Sequence, residues 1–134
     1  MLKKVIKYED YNGEMKEKEC YFNLSKSELA KMDILLDGGI LNYTKKINDE
    51  HDNKSLINFF EEIILRSYGV KSKDESEDGE RFIKSEELSL AFKQSPAYDA
   101  LFMELILEEN ASKEFIKGLM PSSIKKELDR EKAN

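Results

Sequence analysis

The sequence predicts an α+β fold: an N-terminal β-hairpin followed by a mainly α-helical bundle of five to six short helices. Three observations point there. Residues 2–24 alternate apolar and charged positions around Asn12-Gly13. From Ser25 onward the apolar period lengthens to that of helices. Helix starts and stops then recur, in Ser25/Glu28, Asp37-Gly38-Gly39, Ser85 and Ser95-Pro96.

In the hairpin, Leu2, Ile6 and Tyr8 share one parity, and so do Cys20, Phe22 and Leu24. A two-residue Asn-Gly loop would set these groups on opposite faces. A three-residue loop, Asn12-Gly13-Glu14, pairs Ile6 with Cys20 and Tyr8 with Lys18, which aligns them. Register follows the buried face, so the longer loop is expected, with Gly13 at positive φ. An isolated hairpin is marginal, so its apolar face must rest on helices.

Ser25 and Glu28 form a capping box, and Leu24 can staple onto Leu29. Leu29, Met32, Leu35 and Leu36 line one side of that helix. Ile40 to Asp49 has the spacing of another short helix, and Asn48 to Asn53 breaks the pattern. Lys54 to Tyr68 repeats Leu56, Phe59, Phe60, Ile63, Ile64 and Tyr68 at helical intervals, with Gly69 as the residue after its end. Arg81-Phe82-Ile83 is an extended piece that can pair with Val70-Lys71. Ser85 caps a helix with Leu88, Ala91 and Phe92. Ser95-Pro96 opens the next, whose Tyr98, Leu101, Phe102, Leu105 and Ile106 make the cleanest amphipathic stripe. Asn110 is read as the cap of a helix carrying Ala111, Phe115 and Leu119, bounded by Gly118 and Pro121. Residues 122–134 suit a last charged helix. The organisation is one domain over 1–134, with a hairpin (1–24), a helical part (25–69), a charged loop with a short extended segment (70–84) and a second helical part (85–134).

The chain has 134 residues, a size at which folding buries roughly two-thirds of the unfolded surface. The net charge of −6 disfavours nucleic acid and anionic lipid, and the lysines are interleaved with acids rather than gathered in a stripe. Cys20 is the single cysteine, so no intramolecular disulfide forms, and it reads as a small buried hydrophobe. The N-terminus lacks a signal-peptide apolar run, and no segment approaches the ~18 apolar residues of a membrane span. A cytoplasmic protein is expected.

Chemistry-bearing patterns are weak. Asp74, Ser76, Asp78 and Gly79 fall on calcium-loop positions, but the twelfth place is Ser85 where a bidentate Glu belongs. A solvated acidic loop is the better reading. His51 is the only histidine and sits among Asp49, Glu50 and Asp52. Nucleophile elbows, Cys–His pairs and phosphate-cradling glycine loops are missing. Adjacent acids such as Glu61-Glu62 and Glu86-Glu87 point in different directions on a helix and share no site. No catalytic residue, cofactor or metal is therefore expected. Phe59, Phe60, Tyr98 and Phe102 read first as core. Surplus apolar faces are also what a protein-binding module offers, so the expected partner surface is a groove between Phe59, Phe60, Ile63 and Tyr98, Leu101, Phe102, Leu105.

Ser67 to Gly69 (SYG), Ser76 to Gly79 (SEDG), Arg81 to Ser85 (RFIKS), Ser95 to Leu105 (SPAYDALFMEL) and Ile116 to Pro121 (IKGLMP), with the YNGE hairpin, resemble the tail assembly chaperones of siphophages of Gram-positive hosts. The resemblance covers most of the chain, and its motifs are caps and core residues. It implies a mostly helical, non-enzymatic protein, needing no cofactor, that coats the tape measure protein in the bacterial host cytoplasm before tail-tube polymerisation; the expected partner is that protein or another tail protein, with a homo-oligomer left open. It also implies that a longer frameshifted form is often made. The charged loop Lys71 to Glu80 is longer than that likeness leads one to expect. Rival readings are a phage virion component of the tail-completion or head–tail connector type, which would form a ring, and an acidic inhibitor of a host enzyme.

Overall fold

A computed structural model describes residues 1–31, 53–72 and 81–121. Strands β1 (Leu2–Glu9) and β2 (Met15–Phe22) form the hairpin, and helix α1 (Lys26–Lys31) follows. Helix α2 (Asn53–Ser67) runs directly into β3 (Tyr68–Lys71), which pairs with β4 (Phe82–Ile83). Helices α3 (Glu86–Lys93), α4 (Pro96–Leu107) and α5 (Glu109–Leu119) complete the order. The α+β class is as expected. The expected continuation of α1 through Met32, Leu35 and Leu36, the helix at Ile40 to Asp49, the acidic loop at 73–80, His51 and the helix at 122–134 lie outside the described residues.

The hairpin is the first half of a larger sheet, in the order β1-β2-β3-β4, antiparallel throughout. Val70 opposes Ile83 and Lys71 opposes Phe82, the pairing the sequence suggested. The bond between β2 and β3 was not foreseen. Tyr21 opposes Gly69 and Phe22 opposes Tyr68, so Tyr68 leaves the helix it was assigned to and Gly69 is a strand residue rather than a helix terminator. Ser67 makes the exit. Its carbonyl accepts from Asn23 N–H at 2.8 Å and its hydroxyl donates to Ile64 O at 3.1 Å.

The hairpin parity holds, with Ile6, Cys20 and Phe22 all buried. Its register differs by two residues: Ile6 opposes Lys18, Tyr8 opposes Lys16 and Lys4 opposes Cys20. The cause is the turn. Asp10 Oδ1 accepts the N–H groups of Asn12 and Glu14, both at 2.9 Å, and Gly13 N–H reaches Asp10 O at 3.1 Å. Asp10 N–H donates to Glu14 O at 2.8 Å, so the loop is Tyr11-Asn12-Gly13. Gly13 has φ +81°, the left-handed residue that closes a type I turn in a three-residue hairpin loop.

Three helix starts match the sequence. Ser25 Oγ accepts Glu28 N–H at 3.2 Å while Glu28 Oε1 accepts Ser25 N–H at 3.1 Å, a reciprocal capping box. Ser85 Oγ accepts Leu88 N–H at 3.0 Å, and Ser95 Oγ accepts Tyr98 N–H at 3.4 Å with Pro96 beginning α4. Asn110 is not a cap. Glu108 holds that position with no side-chain hydrogen bond, because α4 and α5 are separated by that residue alone. Gly118 lies inside α5 rather than bounding it. A Cβ there would stand 2.9 Å from Leu2 Cδ1, so glycine lets α5 approach β1.

One core joins the sheet to the helices. It gathers Ile6, Cys20, Phe22 and Leu24 with Leu29, Phe59, Phe60, Ile63 and Ile64 of the first helices and Phe92, Leu101, Leu105, Phe115 and Leu119 of the later ones. Phe22 is its hub, with ring centroids 5.8 Å from Tyr68, 5.9 Å from Phe92 and 5.1 Å from Phe115.

The close approach at Gly69 makes a sharp prediction. A Cβ would fall 2.5 Å from Phe82 Cε1 and 2.8 Å from Ile83 O, and the backbone oxygen cannot rotate away. Gly69→Ala is expected to lower stability by about 1–3 kcal/mol in urea unfolding, through separation of β3 from β4. An unchanged midpoint would mean that the two strands are not held this closely.

Candidate functional site

The seven residues expected to line a partner groove are brought together, but mostly inward. Phe59, Phe60 and Ile63 on α2 and Leu101 and Leu105 on α4 are buried. Helix α2 packs against α3 and α4, so the seam between them is closed protein interior. Tyr98 and Phe102 alone of the seven are half-buried. Their rings lie 5.7 Å apart, and Tyr98 meets Phe92 edge-on at 5.8 Å. Burial and the nearby Glu61 carboxylate push the Tyr98 hydroxyl up to about 12, which keeps it neutral. Glu61 is itself held by Lys93 at 2.7 Å.

Helix α4 is where sequence reasoning missed surface. Of the expected stripe, Leu101 and Leu105 are buried and Tyr98 and Phe102 half-buried, but Ile106 turns outward, and the helix is not amphipathic. Met103, Ile106 and Leu107, at i, i+3 and i+4, share the outer side and are 44%, 37% and 73% exposed. The signal was available in the unbroken run Leu101-Phe102-Met103, then Leu105-Ile106-Leu107, which is too apolar for a helix with one buried face.

The outer side of the hairpin has another character. Lys3 pairs with Glu19 at 3.2 Å and Lys7 with Glu17 at 3.8 Å, while the Lys71 ammonium sits 4.8 Å from the Tyr21 ring centre. The two ion pairs are exposed, mutually neutralising contacts of small energy.

A shallow depression between α1, α2 and α3 is lined by Glu28, Lys31, Leu65, Arg66, Lys84 and Ser89, among others. Lys84 is among its lining residues, and its Nζ donates to Glu28 Oε2 and Asn23 O, both at 2.5 Å. The cation is thus engaged in tying β2's exit and α1 to the start of α3. Burial raises the Glu28 pKa, but hydrogen bonds from Lys84 and Ser25 outweigh it and leave the carboxyl below its ordinary value. Burial pushes the Cys20 thiol up, against the pull of Lys18, so it stays protonated and is a poor nucleophile. Among the described residues no group of three or more His, Cys, Asp or Glu could hold a metal ion. None of the described helices is long and apolar enough to cross a membrane.

The Glu28 contact sets a pH dependence. A carboxyl depressed on folding adds stability that is present above its unfolded value, 4.5, and is lost as pH falls through its lower folded value. The stability gap between the native chain and Glu28→Gln, read by urea unfolding, is expected to be constant above pH 5 and to shrink below pH ~4.5. A gap that widens on acidification would reverse the sign assigned here.

Of the exposed large apolar side chains on the described helices, Met103, Ile106 and Leu107 cluster on the outer side of α4, while Ile57 and Leu90 stand singly on α2 and α3. No curated protein and no solved structure gives a match. A family described as phage tail assembly chaperone matches residues 1–134, the whole chain. The chain belongs to the phage tail assembly chaperone family.

Proposed function

We propose that this chaperone holds the phage tape measure protein in the host cytoplasm while the tail is being built, and releases it as the tail tube grows. A tape measure protein is long and helical, so unsheathed apolar stripes would drive it to aggregate. A chaperone covering them needs apolar side chains in its own surface and a charge that keeps the complex soluble. The full-length family match supports this reading best, joined by the exposed apolar positions of α4 on a chain of net charge −6.

The work is binding and calls for no cofactor or catalytic group. Binding through Phe59, Phe60, Ile63, Leu101 and Leu105 would require α2 to part from α4. That exposes five large side chains at roughly 1.5–3 kcal/mol each, comparable to the whole stability of a domain this size. Of the seven groove residues, Tyr98 and Phe102 can therefore contribute without unfolding.

Co-expression tests the proposal. The tape measure protein encoded by the same phage is expected to remain in the soluble fraction and to co-elute with the tagged chaperone, and to pellet when expressed alone. Mass spectrometry of purified virions is expected to find no chaperone. Failure of the two proteins to associate would reject the partner, and persistence of the chain in finished particles would favour a virion component instead.

A further inference from the structure

We infer that the outer side of α4, from Met103 through Ile106 to Leu107, docks an amphipathic partner helix whose apolar stripe is flanked by basic residues. The inference deepens the proposed function by naming the surface and the chemistry of its occupant, and it rests on that reading for the partner's identity.

The apolar part of the argument is geometric. Met103, Ile106 and Leu107 occupy successive turns, the spacing that seats one helix against another. Scattered exposed apolar residues need no explanation, but three at helical spacing form a ridge. The inner side of the same helix is fully engaged, since Ala97, Leu101 and Leu105 are buried in the core. Helix α4 is therefore anchored on one side and offered on the other, and docking needs no rearrangement.

The charge around the ridge selects the occupant. The chain carries 22 Lys and Arg in 134 residues, yet none lies between Ser95 and Ser112. That stretch instead contains Asp99, Glu104, Glu108 and Glu109. Asp99 precedes Met103 by one turn on the outer side and is exposed, as is Glu108 beside Leu107. The last turn of α4 itself contains no basic residue. Lys4 reaches Glu104 at 3.1 Å from the neighbouring strand, and that carboxylate remains partly exposed. An apolar ridge in an acidic field attracts a helix with Lys or Arg beside its stripe and repels a second copy of this acidic chain.

The probe is a synthetic helical peptide with a leucine stripe flanked by lysines, titrated into the full-length chaperone by fluorescence anisotropy. A twin peptide with glutamates in place of the lysines serves as control. The lysine peptide is expected to bind, more weakly as salt rises, and the glutamate peptide roughly tenfold or more weakly. Ile106→Ser with Leu107→Ser is expected to cost roughly tenfold in affinity with an unchanged circular-dichroism spectrum. Should that pair disturb folding, Leu107→Lys alone, at the most exposed position of the ridge, is expected to give the same direction of effect. Equal affinity for the two peptides, or unchanged binding by the variants, would overturn the inference. So would a dimer in sedimentation that Leu107→Lys dissolves, because the occupant would then be a second copy. Variants that lose the peptide yet still keep the tape measure protein soluble would leave the proposed function standing and remove this surface from it. A native chain that binds the peptide but not the tape measure protein would do the reverse.

Discussion

The packing of Phe22 is the constraint on which the rest of the molecule depends. Its ring is fully buried and touches residues of β3, α3 and α5 at once. Those elements come from distant parts of the chain, and only the β2–β3 pairing brings Tyr68 opposite Phe22. Tyr68 then stacks on Phe92 at 4.2 Å, Phe92 meets Tyr98, and Tyr98 lies against Phe102, so a continuous line of rings runs from the sheet to α4. Loss of a buried Phe ring of this kind costs about 3–5 kcal/mol, a large share of the 5–15 kcal/mol that holds a domain together. The position of α4, and of whatever it presents outward, is fixed by that line.

Around this core the surface divides by chemistry. The hairpin's outer side is laced with cross-strand ion pairs, and the edge strand β1 carries Lys3, Lys4 and Lys7, which discourage edge-to-edge pairing with another copy. The outer side of α4 has the opposite composition, apolar with acid beside it and no lysine. The proposed role asks for both properties, a charged side that resists self-pairing and an apolar side that can cover a client.

Local features of this fold were legible in the sequence, and distant ones were not. The caps at Ser25, Ser85 and Ser95 depend on residues within one turn, so their side-chain chemistry sufficed. The β3–β4 pair was readable because its strands are close in sequence. The β2–β3 pair joins residues some 46 positions apart, and Tyr68-Gly69 looks like a helix end when Tyr21 is not in view. The hairpin register slipped by two because parity cannot distinguish registers that differ by an even number. The Asp10 carboxylate made that choice. Helical periodicity picked out the inward faces of α2 (Phe59, Phe60, Ile63) and α4 (Leu101, Leu105), but a periodic apolar face is the one a folded chain hides. The accessible ridge joins two positions that break the period, Met103 and Leu107, to Ile106, which the period had placed on the inner stripe.

Hydrogen exchange of the full-length chaperone, alone and mixed with the tape measure protein proposed as its client, tests the central claim that the client is held on an already folded surface. The account predicts slowed exchange concentrated in the second half of α4 and the start of α5, with the amides of α2 and of the four-stranded sheet unchanged. Faster exchange in α2 on binding, or protection confined to the hairpin, would contradict it.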